Sequence, residues 1–335
     1  MRITQELLRK LAQEHVNKCR RLESDIVAAF LTGSVLTPEP ILGGSTDIDI
    51  VLVHKENYFV EREVARVSNE ISLDIVHQSQ SFYTNHRNLR LNPWLGKALR
   101  THASILFDTD HWLEFIQASV SSQFDRPENV YGRALPLLEK ARALWFEIEE
   151  PKEEAFLEWF NSFFQAVGLA ANAIAVLNGI GLTTRRFLVD FPNRAEALGN
   201  NALNETLLKI ISAENTSVEQ MQAWRIPWEN ALDAAGADPD CPINIHPNRK
   251  HYFLSAYDAM VESGTHQFAL WPLMETWSQA INILWRDQSQ QGAWLRFSSD
   301  LGFSPESKMN HFNALDSFLD LVEVTLDTWK NGFGL

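Results

Sequence analysis

A chain of 335 residues, 45% hydrophobic and 21% charged, is long enough for two domains and has a globular composition, which excludes a disordered or fibrous class. Its longest mostly apolar run, Phe163 to Leu177, is 15 residues broken by Gln165 and Asn172, too short and too polar to span a bilayer. Cys19 and Cys241 stand alone, excluding a disulfide framework and a cysteine metal cluster, and the charged, helix-patterned first 21 residues read as no secretion signal, so a cytoplasmic location is the expectation.

In chain order, Thr4 to Leu22 carries Leu7, Leu8, Leu11 and Val16 on roughly one helical face. Ile26 to Leu31 is a short apolar run ending at Thr32-Gly33-Ser34 and reads as a buried strand. Asp47 to Val53 alternates and then turns wholly apolar, a strand entering a core. Glu56 to Val67 reads as a helix, Ile71 to Val76 as a strand, Ser81 to Arg100 as mixed, and Ser104 to Phe107 as a last short strand. Beyond about residue 110 the strand signals stop. Asp125-Arg126-Pro127 has the cap and early proline of a helix start. Pro151 opens a helical pattern that stops by Gly179, Thr216/Ser217 start one ending near Gly236, Pro247 one ending near Gly264, and Ser304-Pro305 the last. Most of the 11 Trp fall in this half, at spacings expected of a helical core.

The net charge of −14 is uneven, because residues 1–118 carry 13 Lys+Arg against 15 Asp+Glu and residues 119–335 carry 16 against 28. An acidic second half repels a polyanion, which argues against a nucleic-acid partner and for a neutral or cationic one.

The stretch LTGSVLTPEPILGGSTDIDIVLV holds the chemistry. Strand alternation points Asp47 and Asp49 the same way, about 6–7 Å apart at their Cα atoms, with Ile48 and Ile50 in the core. Two carboxylates that close repel each other unless a cation lies between them, and Mg²⁺ is the usual occupant of an all-oxygen site. In ISLDIV the alternation groups Asp74 with Ser72 and Val76, so a neighbouring strand supplies a third carboxylate for a two-cation clamp. Gly33-Ser34 adds a turn whose backbone N–H groups can approach an anion, with Ser34 as a hydroxyl donor.

Gly33-Ser34, twelve intervening residues, Asp47-Ile48-Asp49 and then Asp74 together resemble the signature of the DNA polymerase β-type nucleotidyltransferase superfamily, across residues 4–110. The helical remainder resembles, more loosely, the acceptor-binding domains of kanamycin-nucleotidyltransferase-like enzymes. The resemblance implies an α+β fold. Residues 1–118 would form a small mixed twisted sheet flanked by helices, and residues 119–335 an all-α helical bundle that binds the acceptor. It implies transfer of a nucleoside monophosphate from an NTP, with ATP the expected donor, to a hydroxyl, releasing pyrophosphate, with two Mg²⁺ ions engaged. Asp47, Asp49 and Asp74 would hold the metal, Asp74 would assist deprotonation of the acceptor, and Gly33 and Ser34 would position the phosphates. The expected acceptor is a small, aminoglycoside-like cationic molecule. A protein or tRNA acceptor, or a non-catalytic nucleotide-binding regulatory module, are the alternatives.

One departure concerns charge. Residues 35–46 contain no basic residue and include Glu39, so the triphosphate's counter-charge is expected from elsewhere, with Arg133 and Lys140 as candidates and Lys97 and Arg100 as alternatives. Other polar groups have bland readings. His54 and His77 read as strand ends, and His246, Arg249, Lys250 and His251 as a polar loop and helix start. Thr183-Thr184-Arg185-Arg186 reads as a capped loop. Glu147, Glu149 and Glu150 read as a solvated helix end, with a general base as the sharper alternative.

Overall fold

The computed structural model describes residues 3–149 and 156–335, so Glu150 and the expected helix start at Pro151 lie outside the described residues. The chain forms two compact units, one of Met1–Asn129 with Asn248–Ala256 and one of Val130–Pro247 with Tyr257–Leu335.

The first unit is built on a five-stranded mixed sheet. Helix α1 (Gln5–Leu22) starts where the Thr4 side chain accepts from the Leu7 N–H, and its last turn carries Arg20 and Arg21, favourable at a helix C-terminus. It leads into β1 (Ile26–Thr32), β2 (Thr46–His54), β3 (Arg62–Arg66), β4 (Ile71–Ser79), the single-turn helix α2 (His86–Arg90), β5 (Ile105–Asp108) and α3 (Trp112–Ser121). The strand order is β3-β4-β2-β1-β5; β2 and β4 run parallel at the centre and every other pairing is antiparallel.

Alternation sorts side chains to two cores. Ile48, Ile50, Leu52, Leu73 and Ile75 face Leu8, Ala12 and Val16 of α1. Val51 and Val53 face the other way, onto Leu89, Leu95, Leu99, Leu113 and Ile116. A register shift between Ile26 and Ala28 in β1 explains why Ile26 and Ala29, three apart, share the α1 face. Asp47 and Asp49 lie in phase with Val51 and Val53, beyond the end of that second core.

The helix expected over Glu56–Val67 is not formed. Arg62–Arg66 is an edge strand paired with β4 through a tight Ser68–Ile71 turn, in which the Val67 and Ser68 N–H groups donate to the Ile71 carbonyl. Glu and Arg favour helix locally, but the ladder to β4 and the burial of Val64 outweigh that preference.

The second unit is helical, with α4 (Pro127–Glu149) from Val130 on, α5 (Phe156–Ala175), α6 (Phe187–Glu196), α7 (Ala202–Ile210), α8 (Val218–Gly236), the part of α9 (Lys250–Glu262) from Tyr257 on, α10 (Leu270–Ile283), α11 (Gln288–Asp300) and α12 (Lys308–Gly332). α8 opens with a capping box between Ser217 and Gln220. The Trp-rich stripes are core, with Trp228, Trp277 and Trp294 fully buried, Phe187 stacked on Trp271 at 3.8 Å, and the Trp228 indole N–H donating to Thr276 Oγ1 at 3.0 Å. Trp285 is exposed. No described helix is long and apolar enough to cross a membrane.

Candidate active site

The parallel pairing of β2 with β4 sets the site. Its register puts Asp47 beside Ser72 and Asp49 beside Asp74, so three carboxylates on two central strands share one face. Carboxylate oxygens of Asp47, Asp49 and Asp74 all lie within 4.8 Å of one another. Asp47 and Asp74 are buried and Asp49 is half-buried.

Across the other edge of β2, Thr32 pairs with Asp49, which brings the turn after β1 against the carboxylates. Gly33 has φ +68°, the left-handed region, and a Cβ there would overlap Oδ2 of Asp49. Glycine is therefore required twice, by conformation and by space. The Gly33–Leu36 turn is closed by Thr37, whose backbone N–H and hydroxyl donate to the Ser34 carbonyl at 2.8 and 2.6 Å. The segment from Thr37 then returns over Asn248–Ala256. Ser45 Oγ and Ser255 Oγ are 2.5 Å apart, and left-handed Gly43 leaves no room for a Cβ beside the Ser255 carbonyl.

Two arginines complete the cluster. Arg62 on β3 donates from Nε and Nη2 to the two oxygens of Asp74 at 2.7 and 2.6 Å, a bidentate pair. Arg249 bridges two carboxylates, with Nη2 3.0 Å from Asp47 Oδ2 and Nη1 3.0 Å from Asp74 Oδ2. Among the described residues, the arginine ion pairs of this cluster fall on Asp47 and Asp74. Three carboxylates against two guanidinium groups leave one negative charge uncompensated. Burial, reinforced by Asp47 and Asp74, holds the Asp49 carboxyl well above the usual carboxylate range, the arginines only partly offsetting this. Burial opposes charge on Arg249 too, but Asp47 and Asp74 outweigh it and raise its pKa further. The hydrogen bonds to Asp74 do the same for Arg62.

No family model matches the chain. No curated protein is similar to it at the level of sequence. Among solved structures it aligns with a nucleotidyltransferase-like protein from Exiguobacterium sibiricum 255-15, at 9% identity over 87% of this chain and 91% of that one, with a TM-score of 0.27.

Of the expected site residues, Asp47, Asp49, Asp74 and Gly33 come together, and Ser34 follows on the same turn. Arg133 and Lys140 lie on α4 in the helical unit, Arg133 buried and Lys140 exposed. Arg100 is ion-paired with Asp125 at 2.5 Å. The cations at the carboxylates, Arg62 and Arg249, had bland readings in the sequence or none. Arg62 sat inside an expected helix, whereas a strand reading places it beside β4. Arg249 sat in the polar run His246–His251, 202 residues from Asp47, and nothing local distinguishes it from its neighbours. The remaining groups keep structural places. Thr184–Arg186 is a short 3-10 turn with Arg185 buried, and Glu147 and Glu149 are exposed at the end of α4.

Proposed function

We propose that this chain is a Mg²⁺-dependent nucleotidyltransferase that moves a nucleoside monophosphate from an NTP, with ATP the expected donor, to a hydroxyl of a small acceptor. One observation carries the reading: oxygens of Asp47, Asp49 and Asp74 converge within 4.8 Å beside the Gly33 turn. An all-oxygen donor set of that span suits a hard divalent cation, and the like-charge crowding at Asp49 is what a cation relieves. When bound, Mg²⁺ would orient a triphosphate and neutralise the charge that develops in phosphoryl transfer.

The chain's own residues have separate tasks in this reading. Asp47 and Asp49 present oxygens from one strand. Asp74, locked in orientation by the Arg62 fork, presents a third and helps take the acceptor's proton. The Gly33-Ser34 turn holds phosphate oxygens through backbone N–H groups and the Ser34 hydroxyl. Arg62 and Arg249 offset the charge of Asp47 and Asp74, so the triphosphate's counter-charge falls mainly to the metal ions. The acidity of residues 119–335 favours a cationic, aminoglycoside-like acceptor over tRNA.

The test is calorimetric titration of ATP and GTP with and without Mg²⁺, followed by pyrophosphate release over a panel of polyhydroxyl acceptors. Metal-dependent NTP binding with release on at least one acceptor is expected. Absence of metal-dependent binding with either nucleotide sinks the reading. Gly33→Ala is a sharper probe, because the added methyl displaces the Asp49 carboxylate. Turnover should fall about 10²-fold, the cost of a misplacement near 1 Å, with the circular dichroism spectrum unchanged.

A second reading is favoured by Arg249, whose guanidinium already neutralises Asp47 and Asp74. In a non-catalytic nucleotide-binding module this arginine would stand permanently where a cation otherwise acts. Nucleotide binding insensitive to Mg²⁺, without pyrophosphate release on any acceptor, selects that reading.

A further inference from the structure

A second polar cluster lies at the opposite end of the sheet. His54, the last residue of β2, is five residues beyond Asp49, about 16 Å along the strand. It is fully buried, with Nδ1 3.0 Å from Asp25 Oδ2 and Nε2 2.9 Å from His77 Nδ1. Tyr58 stacks on both imidazoles, with centroids 4.3 Å from each, and its hydroxyl hydrogen-bonds Glu23.

With both rings neutral the hydrogen-bond inventory does not close, and either a second proton on His54 or a bound cation is needed to close it. A carboxylate only accepts, so His54 Nδ1 carries a proton and donates to Asp25. The neutral ring then offers Nε2 as an acceptor, and His77 Nδ1 must be the donor. That leaves His77 Nε2 a bare lone pair. It is buried with no hydrogen-bond partner, its side chain only 3% exposed, and Glu63 Oε1, another acceptor, stands 3.7 Å away. The Glu23 Oε2 atom, at the C-terminal cap of α1, is likewise buried and unpartnered. Unsatisfied buried groups of this kind are costly and call for a missing partner.

Ligand atoms from Glu23, Asp25 and His54 all lie within 4.8 Å of one another. We propose that Glu23, Asp25 and His54 Nδ1 form a binding site for a first-row divalent cation of the Zn²⁺ type, separate from the cluster at Asp49. One imidazole with two carboxylates is a borderline donor set suited to Zn²⁺, with water completing the coordination.

Occupancy resolves both orphans and the protons balance. The cation takes the His54 Nδ1 lone pair, whose proton leaves to solvent. The His77 Nδ1 proton passes to His54 Nε2, which now donates to His77. His77 Nε2 takes up a proton and donates to Glu63, so there is no net release. A ligating histidine whose other N–H is held by a buried partner is the usual second layer of such sites. Asp25 and Glu63, both with about half of their side-chain surface exposed, leave the cation a path from solvent.

The experiment uses the full chain carrying Asp49→Asn, stripped with a chelator and titrated with Zn²⁺ by calorimetry and with Co²⁺ by visible absorption. A single saturable site is expected, weakened at least about tenfold by adding Glu23→Gln or Asp25→Asn. His54 is left intact because its burial makes substitution a folding risk. Long-range ¹⁵N–¹H spectra should show His77 moving from an Nδ1–H to an Nε2–H tautomer as Zn²⁺ is added. No saturable Zn²⁺ binding, binding indifferent to both substitutions, or a His77 that already carries a proton on Nε2 without metal would each overturn the proposal. None of these outcomes bears on the Mg²⁺ reading of the other cluster, which is disabled throughout.

Discussion

Asp49→Asn is expected to cut nucleotidyl transfer on the order of 10³-fold while making the metal-free protein more stable. The loss follows from removing one of three converging oxygens, a few kcal/mol of transition-state charge stabilisation at about 1.4 kcal/mol per decade. The gain follows from the apo site, where burial and the neighbouring Asp47 and Asp74 all disfavour the charged Asp49. Its folded pKa is raised, so the folded state holds this proton to higher pH than the unfolded chain does. The stability that Asp49 contributes therefore falls as pH rises from the ordinary carboxylate value through the raised one. Urea midpoints of wild type and variant should coincide in acid and separate toward neutrality, with the variant higher. Mg²⁺ at about 100 times its dissociation constant should add about 2.7 kcal/mol to the wild type and nothing to the variant. A variant less stable than wild type at neutral pH, or one retaining full turnover, removes Asp49 from the role given to it.

Arg249→Ala should have the opposite stability signature. Its guanidinium bridges two buried carboxylates at 3.0 Å each, and its removal leaves Asp47 with its charge unpaired while Asp74 keeps only Arg62. Removing one partner from a buried ion pair costs about 3–5 kcal/mol, and here the lower end is expected because Arg62 remains. Mg²⁺ should restore most of that loss, since a cation between Asp47 and Asp74 replaces the missing charge. Mg²⁺ should also bind the variant more tightly than wild type, with NTP affinity reduced. Arg249→Lys keeps the charge but cannot fork to two carboxylates, so it should fall between. Chemical denaturation with and without Mg²⁺ reads these effects. A variant whose stability equals wild type in chelator, or fails to respond to Mg²⁺, contradicts the bridging role.

The two clusters also show what a sequence encodes openly. Strand periodicity is local, so the facing of Asp47 and Asp49 against Ile48 and Ile50, the glycine turn before them, and the helical, tryptophan-cored second half were readable from spacing alone. The Glu56–Val67 segment shows where that logic stops. Its residues prefer helix in isolation, yet pairing with β4 made Arg62–Arg66 a strand and aimed Arg62 at Asp74. Arg249 is the plainer case, because no period connects positions 202 residues apart and only chain closure brings its guanidinium to Asp47. His54 and His77 looked like two ordinary strand ends until the parallel β2–β4 pairing set them within a hydrogen bond of each other. By itself the sequence determined that Asp47 and Asp49 share a face, since alternation is a property of neighbouring residues. The tertiary structure alone decided that Asp74, Arg62 and Arg249 join them and that His54 meets His77, since those contacts depend on how distant segments pack.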